Sequence, residues 1–100
     1  MANDFDIIDI RDQRTDLYVK FEVPSAGEST PIIMKAIGKN KVRENTLKTE
    51  VSGDKYFIMM IASDLSFNDL EQIFALLRAD IAEVKISNII RVEEEQQIEG

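Results

Sequence analysis

Residues 55–84 read KYFIMMIASDLSFNDLEQIFALLRADIAEV, and the fold turns on the change of period inside this stretch. From Lys55 to Ala62 both parities are apolar, with Tyr56, Ile58, Met60 and Ala62 on one and Phe57, Met59 and Ile61 on the other. A short run of this kind, closed off by turn residues, reads as a strand buried on both faces. From Ser66 onward the spacing becomes three and four. Leu70, Ile73, Phe74, Leu77, Ile81 and Val84 form one apolar stripe, the mark of an amphipathic helix. Ser66 with Asp69 three residues later supplies an N-cap and a weak capping box. A helix is predicted over about 66–84.

Working back toward the N-terminus, Leu17, Val19, Phe21 and Val23 alternate with Tyr18, Lys20 and Glu22. That period-2 pattern predicts a strand with one dry face. Pro24 stops it, and residues 25–30 read as a small polar loop closing at Pro31. Ile32 to Ile37 reads as a third strand, with Ile32, Met34 and Ala36 on one side and Ile33 and Ile37 on the other. Gly38-Lys39-Asn40 supplies a turn. Lys41 to Val51 is expected as a mostly wet strand, joined by a tight Ser52-Gly53-Asp54 hairpin loop to the strand at Lys55. Phe5 to Ile10 reads as a short first strand and Arg11 to Arg14 as a polar turn. Beyond the helix, Lys85 to Val92 returns to strand composition, and the acidic tail over 93–100 is expected to fray. The expected fold is α+β and two-layered, a mostly antiparallel sheet of five or six strands with one helix on one face, in the order βββββαβ. It occupies residues 1–100 as one domain, since 100 residues rarely build two cores.

Composition narrows the function more than it identifies it. Hydrophobic residues at 44% and charged residues at 31% suit a folded protein. The longest apolar run, Tyr56 to Ala62, falls well short of the ~20 residues that span a bilayer, and the acidic start is unlike a secretory signal. With no cysteine to form disulfides, the expected setting is the cytoplasm, away from membranes. Histidine is also absent, which removes the usual general base, soft metal ligands and thiolate nucleophile together. No enzyme activity, cofactor or metal is expected. Asp4, Asp6, Asp9 and Asp12 interleave with Phe5, Ile7, Ile8 and Ile10 and lack the glycine bend and terminal Glu of a calcium loop. They read instead as a charged strand end that discourages edge pairing.

The net charge of −7 repels phosphate backbones. Residues 35–48 run the other way, with Lys35, Lys39, Lys41, Arg43 and Lys48 against Glu44. No ring lies in that stretch to stack on a base, and Gly38-Lys39-Asn40-Lys41 lacks the rest of a phosphate loop. Nucleic-acid binding through this hairpin is therefore the disfavoured reading. The four glutamates of the tail, Glu93, Glu94, Glu95 and Glu99, read as solubilising.

The functional expectation comes from the sheet. One helix covers one face, while the strands at 32–37 and 55–62 are apolar on both. Something must shield the second face, and contiguous apolar surface marks interfaces. The expected partner is another protein, a second copy included. Its expected contacts are Phe57, Met59 and Ile61, with Ile33 and Ile37 beside them and Lys39, Lys41 and Arg43 steering the approach. The leading expectation is a non-enzymatic interaction module of accessory, inhibitor or immunity type. The alternative is a structural subunit of a homo-oligomeric assembly.

Overall fold

The computed structural model describes residues 11–92. The strand expected at Phe5–Ile10 and the tail at 93–100 lie outside the described residues. Elements follow in the order β1 (Thr15–Val23), α1 (Ala26–Ile37), a 3-10 turn (Lys39–Lys41), β2 (Lys48–Ser52), β3 (Lys55–Leu65), α2 (Phe67–Asp80) and β4 (Lys85–Arg91). The four strands form one antiparallel sheet in the order β2-β3-β1-β4. This is the split β-α-β arrangement of ferredoxin-like topology. Its two β-α-β crossovers run in opposite lateral directions from antiparallel strands. The right-handed rule then sends both helices to the same face.

The α+β class and the antiparallel sheet match expectation; the count and order of elements do not. The expected third strand, Ile32–Ile37, is the second half of α1, and the expected loop before it is that helix's first turns. Ser29, Ile33 and Ile37 are buried and Ala26, Ile32 and Ala36 pack beside them. Those positions recur at three and four, so the apparent two-sided strand is one helical face read at the wrong period. Pro31 sits inside the helix rather than ending a loop. Thr30 Oγ1 donates to the Ala26 carbonyl at 2.7 Å, which satisfies an acceptor in the turn just before the proline. Gly38 closes the helix at φ 105°, donating its N–H to the Met34 carbonyl. That backbone region is one side chains rarely enter.

The strand expected from Lys41 to Val51 is likewise shorter, with a ladder confined to Lys48–Ser52 and a single bridge from Val42 to Ala62. Residues 11 and 12, expected in a turn, are helical. The expected tight loop is a two-residue hairpin, Gly53-Asp54. Gly53 takes a φ of 65°, as the first position of a II′ turn requires. The helix at Ser66 forms with both halves of its capping box in place, Asp69 N–H to Ser66 Oγ at 3.0 Å and Ser66 N–H to Asp69 Oδ2 at 3.1 Å. It ends at Asp80 instead of reaching 84. Ile81 and Val84 stay buried in the connection to β4.

The core lies between the sheet and the two helices. Leu17, Val19, Phe21 and Val23 of β1 and Ile58, Met60 and Ala62 of β3 face Ile33, Ile37, Leu70 and Leu77, all buried. Each large side chain among them contributes roughly 1.5–3 kcal/mol relative to exposure. With both helices on that side, the opposite face of the sheet has no secondary structure over it among the described residues.

Candidate interaction surface on the open face of the sheet

Side chains alternate across a strand, so burial of odd-numbered residues on β1 and even-numbered ones on β3 sends the others to the open face. Strand register arranges these in rows. Ile90 of β4, Tyr18 of β1 and Ile61 of β3 form the first. Asn88, Lys20, Met59 and Lys48 form the second, and Lys85, Glu22, Phe57 and Glu50 the third. A bulge in β4 opposite Lys20 and Phe21 resets the parity, turning Ile86 and Ile89 toward the core and Ile90 outward. Ile90 is half exposed.

Phe57, Met59 and Ile61 are half-buried, neither sealed nor bare. Two ion pairs step across β3. At one end Arg43, from the segment before β2, pairs with Asp16 on β1. At the other, Lys20 Nζ lies 3.6 Å from Glu50 Oε1 and 4.5 Å from the centre of the Phe57 ring. Lys20 lies over the Phe57 ring while its ammonium reaches Glu50. Each pair keeps one member exposed to water, Glu50 or Arg43, so it contributes little to stability, about 1 kcal/mol or less, and a partner can displace or incorporate it. Between the straps, Ile61, Met59 and Tyr18 form the apolar window.

The remaining expected site residues separate. Ile33 and Ile37 are not beside Phe57; they are 0% and 5% exposed on α1, in the core on the other side of the sheet. Lys39 and Lys41 stand in the 3-10 turn, and Lys41 Nζ donates to the Asp64 carbonyl at 3.2 Å. Arg43 holds the border of the open face, its N–H donating to the Ile61 carbonyl at 2.8 Å. Thr46 Oγ1 accepts the Ile61 N–H at 3.1 Å, which continues the β3 edge beyond β2. Tyr18, Lys20, Lys85, Glu50 and Ile90 also belong to the face. The signal for the β1 pair was the alternation itself, whose wet parity carries a ring and a lysine directly beside the apolar parity of β3.

Charge is segregated along the chain. Of the 19 acidic residues, Asp4, Asp6, Asp9, Glu93, Glu94, Glu95 and Glu99 fall in 1–10 and 93–100. That leaves 12 acids against all 12 Lys and Arg within 11–92. The described body is neutral, and the whole excess of −7 belongs to the two ends.

On the helical side, an apolar cleft of about 230 Å³ between α2 and β4 is lined by Phe67, Leu70, Phe74, Ile86 and Ile89. Its polar lining is the exposed Arg11–Glu71 pair at 3.3 Å. Among the described residues no group of three or more acids can hold a metal, and no helix is long and apolar enough to cross a membrane. The Asp69 carboxyl lies below its ordinary range, chiefly through the Ser66 N–H it accepts and then through Arg14, so it serves the helix cap. No protein-family profile matches the chain, and no curated protein sequence matches it.

Proposed function

We propose that this protein is a non-enzymatic, cytoplasmic interaction module of accessory, inhibitor or immunity type that works by laying the open face of its sheet against another protein. The observation that carries this reading is the apolar window at Ile61, Met59 and Tyr18. It is held in register on the two central strands and bordered by displaceable ion pairs. Half-buried side chains there still gain from leaving water, on the order of 25 cal/mol for each Å² covered. An apolar centre with a charged rim is the ordinary anatomy of a protein interface.

Phosphate-bearing polymers fit this face less well. Tyr18 and Phe57 offer rings to a base, but Lys20 already covers Phe57. Glu22 and Glu50 also stand on this face, and carboxylates repel phosphate.

The test is a matched pair of substitutions in the full chain. Ile61→Glu places a carboxylate in the window, and Leu76→Glu places the same charge on exposed α2, on the helical side. Partner binding falls at least ~30-fold in Ile61→Glu, about 2 kcal/mol, and is unchanged in Leu76→Glu. Equal loss in both, or loss only in Leu76→Glu, would overturn the assignment. Oligonucleotide binding with a steep salt dependence would replace it with a nucleic-acid function.

A further inference from the structure

We infer that the occupant of the open face is a second copy of this chain, packed face to face about a two-fold axis parallel to the strands. This rests on the open face being the working surface and adds both the partner and its orientation. Two in-plane axes lay the face on itself with the strands of the two sheets aligned, a favoured packing of sheet on sheet. An axis perpendicular to the strands carries every strand onto its own counterpart. The middle row then meets itself, Lys20 on Lys20 and Lys48 on Lys48, like charges in a closing interface. An axis parallel to the strands keeps each row opposite the same row and carries β4 over the partner's β2, and β1 over the partner's β3.

In that second arrangement the charges complement. Lys85 at one border meets Glu50 of the other copy, and by symmetry Glu50 meets Lys85, an isologous pair. In the first row Tyr18 covers Ile61 of the other copy. At the end of β4, Val92 is fixed by its N–H to the Asp16 carbonyl at 2.9 Å. The rotation carries this end toward the Lys41 and Arg43 segment that prolongs the β2 border. From Val92 the sequence continues as Glu93-Glu94-Glu95. In the pair, the end of β4 on each copy faces the basic segment of the other. The neutral body adds no net repulsion to the approach.

Size sets the strength. Four strands about 4.8 Å apart and about seven residues long present roughly 450 Å² in projection. Two copies therefore bury roughly 900 Å² plus side-chain relief, near the lower bound for a specific interface. An interface this small suits weak association, and ~10–100 μM is the range to test.

Light scattering or sedimentation of the full chain over that range should show mass rising from 11.4 kDa toward twice that value and no further. Lys85→Glu and Glu50→Lys each weaken the dimer by about 10-fold or more, and the double variant restores it to within a few-fold. A cross-link reads the orientation directly, because the chain has no cysteine. In a Lys85→Cys/Glu50→Cys chain the two thiols lie on opposite border strands, about 14 Å apart by strand spacing. A maleimide cross-linker shorter than that joins two chains when β4 of one lies over β2 of the other.

A wild-type chain that stays at 11.4 kDa at several hundred micromolar overturns the inference. It leaves the open face available to a different protein if Ile61→Glu still loses that partner. A dimer that dissociates in Ile61→Glu but shows neither charge rescue nor cross-link also overturns the orientation, and the face stands. A dimer untouched by Ile61→Glu uses another surface and overturns both readings.

Discussion

Ile33 and Ile61 carry the same side chain, and their surroundings make them opposites. Ile33 is 0% exposed between α1 and the sheet. A carboxylate there loses the packing of a full core side chain, about 2–5 kcal/mol, and must also be buried without a partner. The sum rivals the whole stability expected of a domain this size, about 5–15 kcal/mol. Ile33→Glu should therefore be unfolded or aggregated at 25 °C by circular dichroism. Ile61→Glu keeps its backbone bonds to Arg43 and Thr46 and turns its charge to the open side. It should melt cooperatively, with a loss of about 1 kcal/mol. Comparable unfolding in both would mean that Ile61 is a core residue and the face is not free. From sequence alone the two isoleucines looked alike, since each sits in a run with apolar residues on both parities. Burial separates them, and burial depends on whether the run is wound at 3.6 residues or extended at 2.

The two helices show why one half of the fold was legible and the other was not. In α2 every local signal agrees. Ser66 and Asp69 cap it, the apolar stripe runs at three and four, and Arg78 stands in the last turn. In α1 local signals conflict. Gly27 and Pro31 are poor helix formers, the N-cap Ser25 makes no side-chain capping bond, and Ile32 and Ile33 favour strands. Burial of Ile33 and Ile37 under the sheet outweighs those preferences, and such tertiary terms are invisible in a six-residue window. The assignment of Phe57, Met59 and Ile61 to a common side survives that error, because it needs only the period-2 pattern of β3. The well-signalled cap also has a pH signature. Asp69 titrates below its unfolded value near 3.8 because its carboxylate accepts the Ser66 N–H and pairs with Arg14. A depressed folded pKa adds stability above the unfolded pKa, and that increment is lost as pH falls through the folded value. Asp69→Asn should lower the melting temperature at pH 7 and reduce the further loss between pH 5 and 2. A thermal melting series across that range checks it. An unchanged acid limb would show that the carboxylate does not charge-stabilise the cap.

At the scale of the whole molecule, the net charge gives a misleading account of the body that carries it. A value of −7 suggests a surface acidic throughout. The described residues balance, and the excess belongs to the segments before Arg11 and after Val92. Interactions between exposed charges are screened over about 8 Å in physiological salt. The ends act where another charged surface approaches within that distance. If the second copy brings Lys41 and Arg43 to the end of β4, neutralising Glu93, Glu94 and Glu95 to Gln removes attraction between copies. The melting temperature of the dilute monomer should stay within about 1 °C, while the dimer weakens by roughly 3- to 10-fold at low salt. The difference from wild type should shrink as salt approaches 1 M, where the screening length is about 3 Å. Sedimentation of both proteins across a salt series measures this. A tighter dimer in the glutamine variant would mean that the acidic ends repel one another across the axis. That sign would overturn the placement of the end of β4 beside Lys41 and Arg43 of the other copy.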